Sequence, residues 1–406
     1  TNLSKEELQY AQLLSDILGM VDTKDYSYAK LSTIINLNTG GVALNLSNVT
    51  NIRTEEEKFY FGLNAKVLYD KLDSLADICT QLLIFSKLDN TKRIKEVLLE
   101  LKAGLKTNLL SSGHVTSMNR AFSHIFKASL FIELIKGIEY YRFLERLDTD
   151  NNYELIVKKL ESVRDKIFNK NSLILHITGD DKVYSYFSTF TDRLLASLGN
   201  KTFAGSGLEF TEDTVKEAFS CASSVNYVAR VGDFRKHGFE YTGALKIFKV
   251  LLSYEYLWVN VRVKGGAYGC YSKFNRNGDS TFSSYRDPKL METNEVYENM
   301  INYLENFEAD EKEVTKFVIG AVGSADIPLT PFADGERSFN AYMSGISEAC
   351  IKKSRNEMIS TTAADLRDMA KYVKAVLDEK VMVVVGSEAK IKENADKFDE
   401  ISSLLS

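Results

Sequence analysis

The chain is poor in the residues that build metal centres and disulfide frameworks, with four histidines and four cysteines among 406 residues. His114, His124, His176 and His237 stand apart, and neither an HExxH nor an HxxEH spacing sets two imidazoles and a carboxylate on one helix face. His176 alternates within an apolar segment and reads as a satisfied core residue, while His114 reads as a turn or cap residue. Cys79, Cys221, Cys270 and Cys350 show no CxxC pairing, which fits reduced thiols and gives no reason to expect a structural zinc site. No GxSxG elbow seats a serine nucleophile, and no cysteine lies in a catalytic context. The three prolines, Pro288, Pro328 and Pro331, all fall in the second half and mark shaped loops.

Long apolar runs and charge of one sign are scarce as well. The longest apolar stretch, 244–263, is interrupted by Lys246, Lys249, Glu255 and Arg262, so it reads as a core helix and no membrane is expected as a partner. A net charge of −5 without a dense Lys/Arg stripe speaks against nucleic acid. No signal-peptide pattern opens the chain. Thr1 leads directly into an apolar-periodic segment, and the expectation is a piece of a longer protein.

What remains is an ordinary globular composition, 44% hydrophobic and 26% charged, in a chain longer than the roughly 250–300 residues that one core accommodates. Two domains are expected, 1–200 and 214–406, with a linker at 201–213 where Gly205, Ser206 and Gly207 interrupt the periodicity. Two segments share one plan, a charged amphipathic helix followed by a β-branched strand closing on glycine. The first strand is 173–179 and the second 381–386, with the closing glycines 207 positions apart, as in a duplicated domain. Strands at 58–63 and 280–285 each precede a helix, at 65–88 and 291–307, and a further strand is expected over 220–231. This order predicts an α+β fold of two homologous domains, each an antiparallel or mixed sheet with helices packed on one face.

The richest stretch is Arg262-Val263-Lys264-Gly265-Gly266-Ala267-Tyr268-Gly269. A helix ends at a Gly-Gly turn, which permits positive φ and close backbone approach, and a strand starts near Tyr268. Such a turn can aim Arg262, a fork of permanently charged donors, and Tyr268, a phenolic donor, at one peptide carbonyl or developing oxyanion. The alternative is that Arg262 serves the helix-end carbonyls and Tyr268 packs as a strand aromatic. Asp287, in Ser284-Tyr285-Arg286-Asp287-Pro288, is placed to cap the next helix. The glycines and prolines of 320–331 suggest an interface loop.

At these residues the chain resembles the presequence-protease branch of the insulinase, or pitrilysin, superfamily of M16 peptidases, in its C-terminal half. The resemblance is carried by the Arg262–Gly269 motif, by Ser284-Tyr285-Arg286-Asp287-Pro288 and by Asp326-Ile327-Pro328-Leu329-Thr330-Pro331, in the family's order. Ser112-Gly113-His114 and Tyr342-Met343-Ser344-Gly345-Ile346 are similar too. The resemblance implies domains three and four of a four-domain, clam-shell zinc metallopeptidase with the fold shared by LuxS and processing peptidases. It implies that Arg262 and Tyr268 are catalytic and substrate-binding, with Gly265 and Gly266 also substrate-binding. The zinc and an inverted HxxEH motif are implied in an N-terminal half absent here, with no metal in this chain. Implied partners are that half and unstructured peptides, degraded in a closed chamber. This fragment alone is expected to be inactive and to self-associate as a homodimer, in the cytoplasm or, in a eukaryote, the mitochondrial matrix. The competing expectation is a non-catalytic superfamily member that binds peptides or proteins as a partner subunit.

Overall fold

A computed structural model describes residues 2–201, 203 and 205–405 of the chain. Thr202 and Ala204 of the expected linker lie outside the described residues. The first half is mainly helical. Ser4 opens the Lys5–Ile17 helix with a capping box, its Oγ accepting from Glu7 N while the Glu7 carboxylate accepts from Ser4 N at 2.9 Å. That helix buries Leu8, Leu13, Leu14 and Ile17 against Phe131, Leu144, Ile156 and Leu160 of the later helices. An antiparallel pair, β1 (Val42–Thr50) and β2 (Glu57–Ala65), adds Leu46 and Phe59 to the same core.

The second half holds a six-stranded mixed sheet made of β3 (Lys216–Cys221), β4 (Tyr227–Asp233), β5 (Gly269–Phe274), β6 (Asp279–Tyr285), β7 (Val381–Ser387) and β8 (Glu400–Ser403). The spatial order is β5-β6-β4-β7-β3-β8. β7 runs antiparallel to β4 and parallel to β3, so the last long strand is inserted between the first two. Its run Val381-Met382-Val383-Val384-Val385 is buried throughout, as a strand covered on both faces requires. Val384 and Met382 join Val228 and Phe282 beneath the helices at 244–251, 291–305 and 370–378. Val381, Val383 and Val385 face the other way, with Phe219, Tyr227 and Val231.

That opposite face is closed by Ala121, Phe122 and Tyr141 from the first half. The second half's own helices therefore pack on one face, and the helix Gly113–Ser123 crosses over to cover the other. A Cβ on Gly113 would stand 2.3 Å from the Tyr227 ring, so glycine is what lets the helix start sit directly on the sheet. Fastened beside it, Arg120 donates to both carboxylate oxygens of Glu217 at 2.7 Å.

Several expected elements are altered. Residues 173–179 keep the two-residue burial alternation of a strand but pair in neither sheet; they lie against the helix Pro331–Met343, with Thr178 beside Gly335. His176 is accordingly exposed, stacked on Phe339 at 4.7 Å, and not a core residue. The expected strand 220–231 is two strands, β3 and β4, broken by the turn at 222–226 so that β7 can enter. The helix expected over 65–88 is the shorter Leu72–Leu83. Gly320 and Gly323 sit inside the helix Glu311–Ala325, since a capping box of Asp310 and Glu313 starts it firmly and tolerates two interior glycines. Among the described residues no helix is long and apolar enough to cross a membrane.

Candidate functional site

The helix that ends at the double glycine begins at Ala244 and continues past Leu251 as π-helical turns over Leu252–Tyr256 and Trp258–Lys264. Leu251, Leu252, Leu257 and Val261 anchor its inner face in the core. Its outer face carries Tyr254, Trp258 and Val263, exposed by 68%, 40% and 66%. Wide i→i+5 turns of this kind recur at functional sites.

The helix closes through Gly266 N donating to Arg262 O at 2.9 Å and Ala267 N donating to Val261 O at 3.1 Å. The geometry favours glycine at both positions, for different reasons. A Cβ on Gly265 would meet Val261 O at 2.4 Å, and Gly266 adopts φ +85°. Tyr268 N then donates to Tyr285 O at 3.0 Å, which starts the β5–β6 ladder immediately after the turn.

The outcome is convergence. The Arg262 guanidinium carbon lies 5.8 Å from the Tyr268 ring centroid and 3.9 Å from that of Trp258. Among the described residues no carboxylate pairs with Arg262, so its N–H donors are not spent on a salt bridge. Tyr268 is 66% exposed, its ring meeting that of Tyr285 edge-on at 5.8 Å. The bland placement, with Tyr268 half-buried in the sheet, is not what forms.

Around this pair stands an aromatic wall. His114, at the start of the crossing helix, stacks on Tyr271 at 5.4 Å and meets Tyr285 edge-on at 4.7 Å. Burial holds its imidazole below the ordinary histidine range, so it is a neutral ring at pH 7. Burial also pushes the Tyr227 phenol up, against the opposing pull of the neighbouring Arg286.

The Ser284–Pro288 segment is scaffolding for the turn. Asn226 and Asp287 exchange backbone hydrogen bonds at 2.7 and 2.9 Å, and Ser284 Oγ accepts from Val228 N. Asp287 is fully buried, and burial raises its pKa. Its carboxylate accepts from Lys289 N and from Thr293 Oγ1 in the first turn of the helix Met291–Glu305, although Leu290 occupies the cap position. Pro288 packs at 3.4 Å from where a Gly266 Cβ would point.

The third motif is placed otherwise. Asp326 pairs with Arg355 at 2.5 and 2.7 Å, and Thr330 caps the helix begun by Pro331. A cleft of about 550 Å³ opens there between Ile327, Leu329, Pro331 and Arg337, and neither Arg262 nor Tyr268 lines it. Ser344 and Met343 instead dock on the tip of the β1–β2 hairpin through Ile52 and Asn51.

The histidines do not fit a zinc ion. His124 bonds Glu217 at 3.0 Å, His237 bonds Glu379 at 3.3 Å, and His114 is walled by tyrosines. Among the described residues no group of three His, Cys, Asp or Glu side chains is placed to hold a metal. All four cysteines are free thiols, with burial pushing Cys79 up to about 12 and Cys270 up to about 11. Sequence reasoning missed Trp258 and His114 as parts of the site. The four-residue spacing from Trp258 to Arg262 was the available signal for the first; the contact made by His114 crosses the two halves and leaves none.

Two family profiles match the chain: "PreP C-terminal domain" over residues 216–388, and the domain associated with subfamily C of the M16 peptidases over residues 1–147. Protein HypA of Clostridium perfringens is 34% identical over 407 residues, covering 100% of this chain and 42% of that protein. Presequence protease 1, chloroplastic/mitochondrial, of Arabidopsis thaliana is 27% identical over 393 residues, covering 95% of this chain and 36% of that protein. The chain thus spans about two fifths of the length of these relatives. Among solved structures, pitrilysin superposes with a TM-score of 0.62 at 9% identity, covering 100% of this chain and 42% of that one. A peptidase M16 inactive domain from Pseudomonas fluorescens gives 0.60 at 13% identity, covering 92% and 87%.

Proposed function

Because the chain belongs to the presequence-protease subfamily of the M16 peptidases and corresponds to its C-terminal half, we propose that it is the substrate-holding half of a zinc-dependent endopeptidase that degrades unstructured peptides in a closed chamber. The reading is carried by one observation, the convergence of Arg262 and Tyr268 beyond the double glycine, with a guanidinium that no carboxylate among the described residues neutralises.

In this reading Arg262 and Tyr268 donate hydrogen bonds to the carbonyl oxygen of the scissile peptide bond. Both remain in place while negative charge develops on that oxygen, and fixed donors there lower the barrier because they need no reorganisation. Gly265 and Gly266 let peptide backbone approach the turn without meeting a side chain. The zinc ion, which would supply Lewis-acid and water-activating chemistry, and the general base belong to an N-terminal half of the same polypeptide. Among the described residues no group of His, Cys, Asp or Glu side chains takes the ion's place. The units 1–200 and 214–406, tied by 201–213, form one wall of the chamber, and residues of the crossing helix brace the sheet that presents the turn. The fragment by itself is inactive, and self-association would cover surface meant for the missing half. Cytoplasm is the proposed location, or the mitochondrial matrix for a eukaryotic member.

The test is peptide cleavage by the full-length polypeptide carrying Arg262→Ala or Tyr268→Phe. Loss of one oxyanion donor typically costs about 10²–10³ in turnover, and a fall in kcat of that order, with intact folding, is the expected result. Wild-type turnover by Arg262→Ala would remove the proposed role.

A further inference from the structure

The only tryptophan of the chain is the residue on which Arg262 rests. Trp258 lies one turn before Arg262 on the outer face of the π-helical segment. Its ring centroid is 3.9 Å from the guanidinium carbon, much nearer than that of Tyr268 at 5.8 Å. An arginine side chain on a helix surface samples many rotamers, and freezing it costs entropy each time a ligand is gripped. Here no carboxylate among the described residues performs that restraint. A carboxylate would also occupy the N–H donors. A flat π-face restrains the planar guanidinium while leaving its edge, where the donors lie, open to a ligand. Trp258 is itself 40% exposed, so it borders the surface that Arg262 addresses.

We infer that Trp258 is a positioning residue for Arg262: it holds the guanidinium by cation–π stacking, pre-oriented toward Tyr268, so that the arginine's donors are free and aimed when peptide enters. This inference rests on the substrate-holding reading above. It assigns Trp258 no contact with the reacting atoms. The residue acts through Arg262, and its contribution disappears when Arg262 is absent.

Two measurements test it. In the full-length polypeptide, Trp258→Phe keeps a π-face and Trp258→Leu keeps bulk without one. The expectation is cleavage within about threefold of wild type for Phe, and a loss of about twofold to thirtyfold for Leu, the span that a cation–π contact carries. Trp258→Leu should add no further loss in an Arg262→Ala background. Equal activities for Phe and Leu, or a Leu effect that persists undiminished on top of Arg262→Ala, would overturn the inference. The second measurement needs no tryptophan variant. In the 406-residue chain, emission from Trp258 is recorded for wild type and Arg262→Ala, alone and with a tryptophan-free unstructured peptide rich in Gly, Ser and Leu. Arg262→Ala should shift the emission, and peptide should change the wild-type signal but not that of the variant. Identical spectra for the two proteins would show that the stack does not form. Should Arg262→Ala leave cleavage untouched while still shifting the emission, the substrate-holding reading fails and the stacking stands, so the two failures are distinguishable.

Discussion

Arg120 and Glu217 form a two-pronged ion pair, Nε and Nη2 each 2.7 Å from a carboxylate oxygen, with Glu217 only 5% exposed at its side chain. One residue belongs to the crossing helix and the other to β3, so the pair fastens the first half to the sheet that carries the candidate site. His124 adds a third contact to the same carboxylate at 3.0 Å.

Removing one member should therefore be costly. Arg120→Met leaves the buried Glu217 with His124 alone, and Glu217→Gln leaves Arg120 with only the longer contact to Glu139 at 3.9 Å; breaking a buried pair typically costs about 3–5 kcal/mol. Although burial alone would raise the Glu217 pKa, hydrogen bonds and charge from Arg120 and His124 outweigh it and hold the group down at about 2. An unfolded glutamate titrates near about 4.3. Glu217 thus contributes its full stabilisation, about 3 kcal/mol by linkage, above roughly pH 5, and loses it as pH falls from there towards about 2. Urea unfolding as a function of pH should show an acid limb in wild type that flattens in Glu217→Gln.

Glu133 offers the opposite case nearby. It is fully buried, its Oε2 has no hydrogen-bond partner among the described residues, and burial raises its pKa despite the attraction of Arg120. A raised carboxylate pKa means that the charged form is disfavoured in the folded state, so stability declines as pH rises above the unfolded value. Glu133→Gln keeps an acceptor for Glu139 N, which Glu133 Oε1 serves at 3.2 Å, and removes the charge. The expected outcome is unchanged or higher Tm at pH 7, with less loss of stability than in wild type as pH rises above the unfolded glutamate value of about 4.3; a drop in Tm of several degrees at pH 7 would contradict it.

Gly113 should tolerate no side chain. Its Cβ would lie 2.3 Å from a Tyr227 ring that is itself 4% exposed and held in the sheet core. Overpacking of this kind costs about 1–3 kcal/mol. Gly113→Ala should lower Tm, and Tyr227→Leu should recover part of the loss by removing the ring that is struck, as a double-mutant cycle would register.

Much of this arrangement was legible in the sequence, for identifiable reasons. The run Val381–Val385 announced a β-branched strand, though not that both of its faces would be covered, and the Gly-Gly turn between Arg262 and Tyr268 announced a helix end that could aim two donors together. Each signal is local, a matter of periodicity or of glycine's allowed φ. What the sequence withheld is non-local. Nothing in 220–231 says that β7 will enter between β3 and β4, and nothing in 173–179 says that the helix Pro331–Met343, not a neighbouring strand, will lie beside it. The crossing of the helix Gly113–Ser123 onto the other half's sheet was hidden for the same cause, although its glycine was in plain view. His176 shows the limit well: alternation predicted a strand with a core histidine, but the segment pairs in neither sheet and His176 is exposed on Phe339, a partner far along the chain.

The turn itself supplies the last prediction. Gly266 adopts φ +85°, where a Cβ strains the backbone by about 1–2 kcal/mol. Gly265 has an ordinary φ but no space, since its Cβ would sit 2.4 Å from Val261 O. Gly266→Ala can be accommodated with a modest loss of stability, whereas Gly265→Ala must push the helix end away from Tyr268. If the turn exists to aim Arg262 and Tyr268, Gly265→Ala should reduce peptide cleavage by the full-length polypeptide far more than Gly266→Ala, even where thermal melts show similar losses of Tm. The difference arises because misplacing a donor by about 1 Å can cost on the order of 10²-fold in rate, while the same shift costs little in packing at an exposed helix end. Cleavage rates that simply track Tm across the two variants would mean that the glycines serve stability alone.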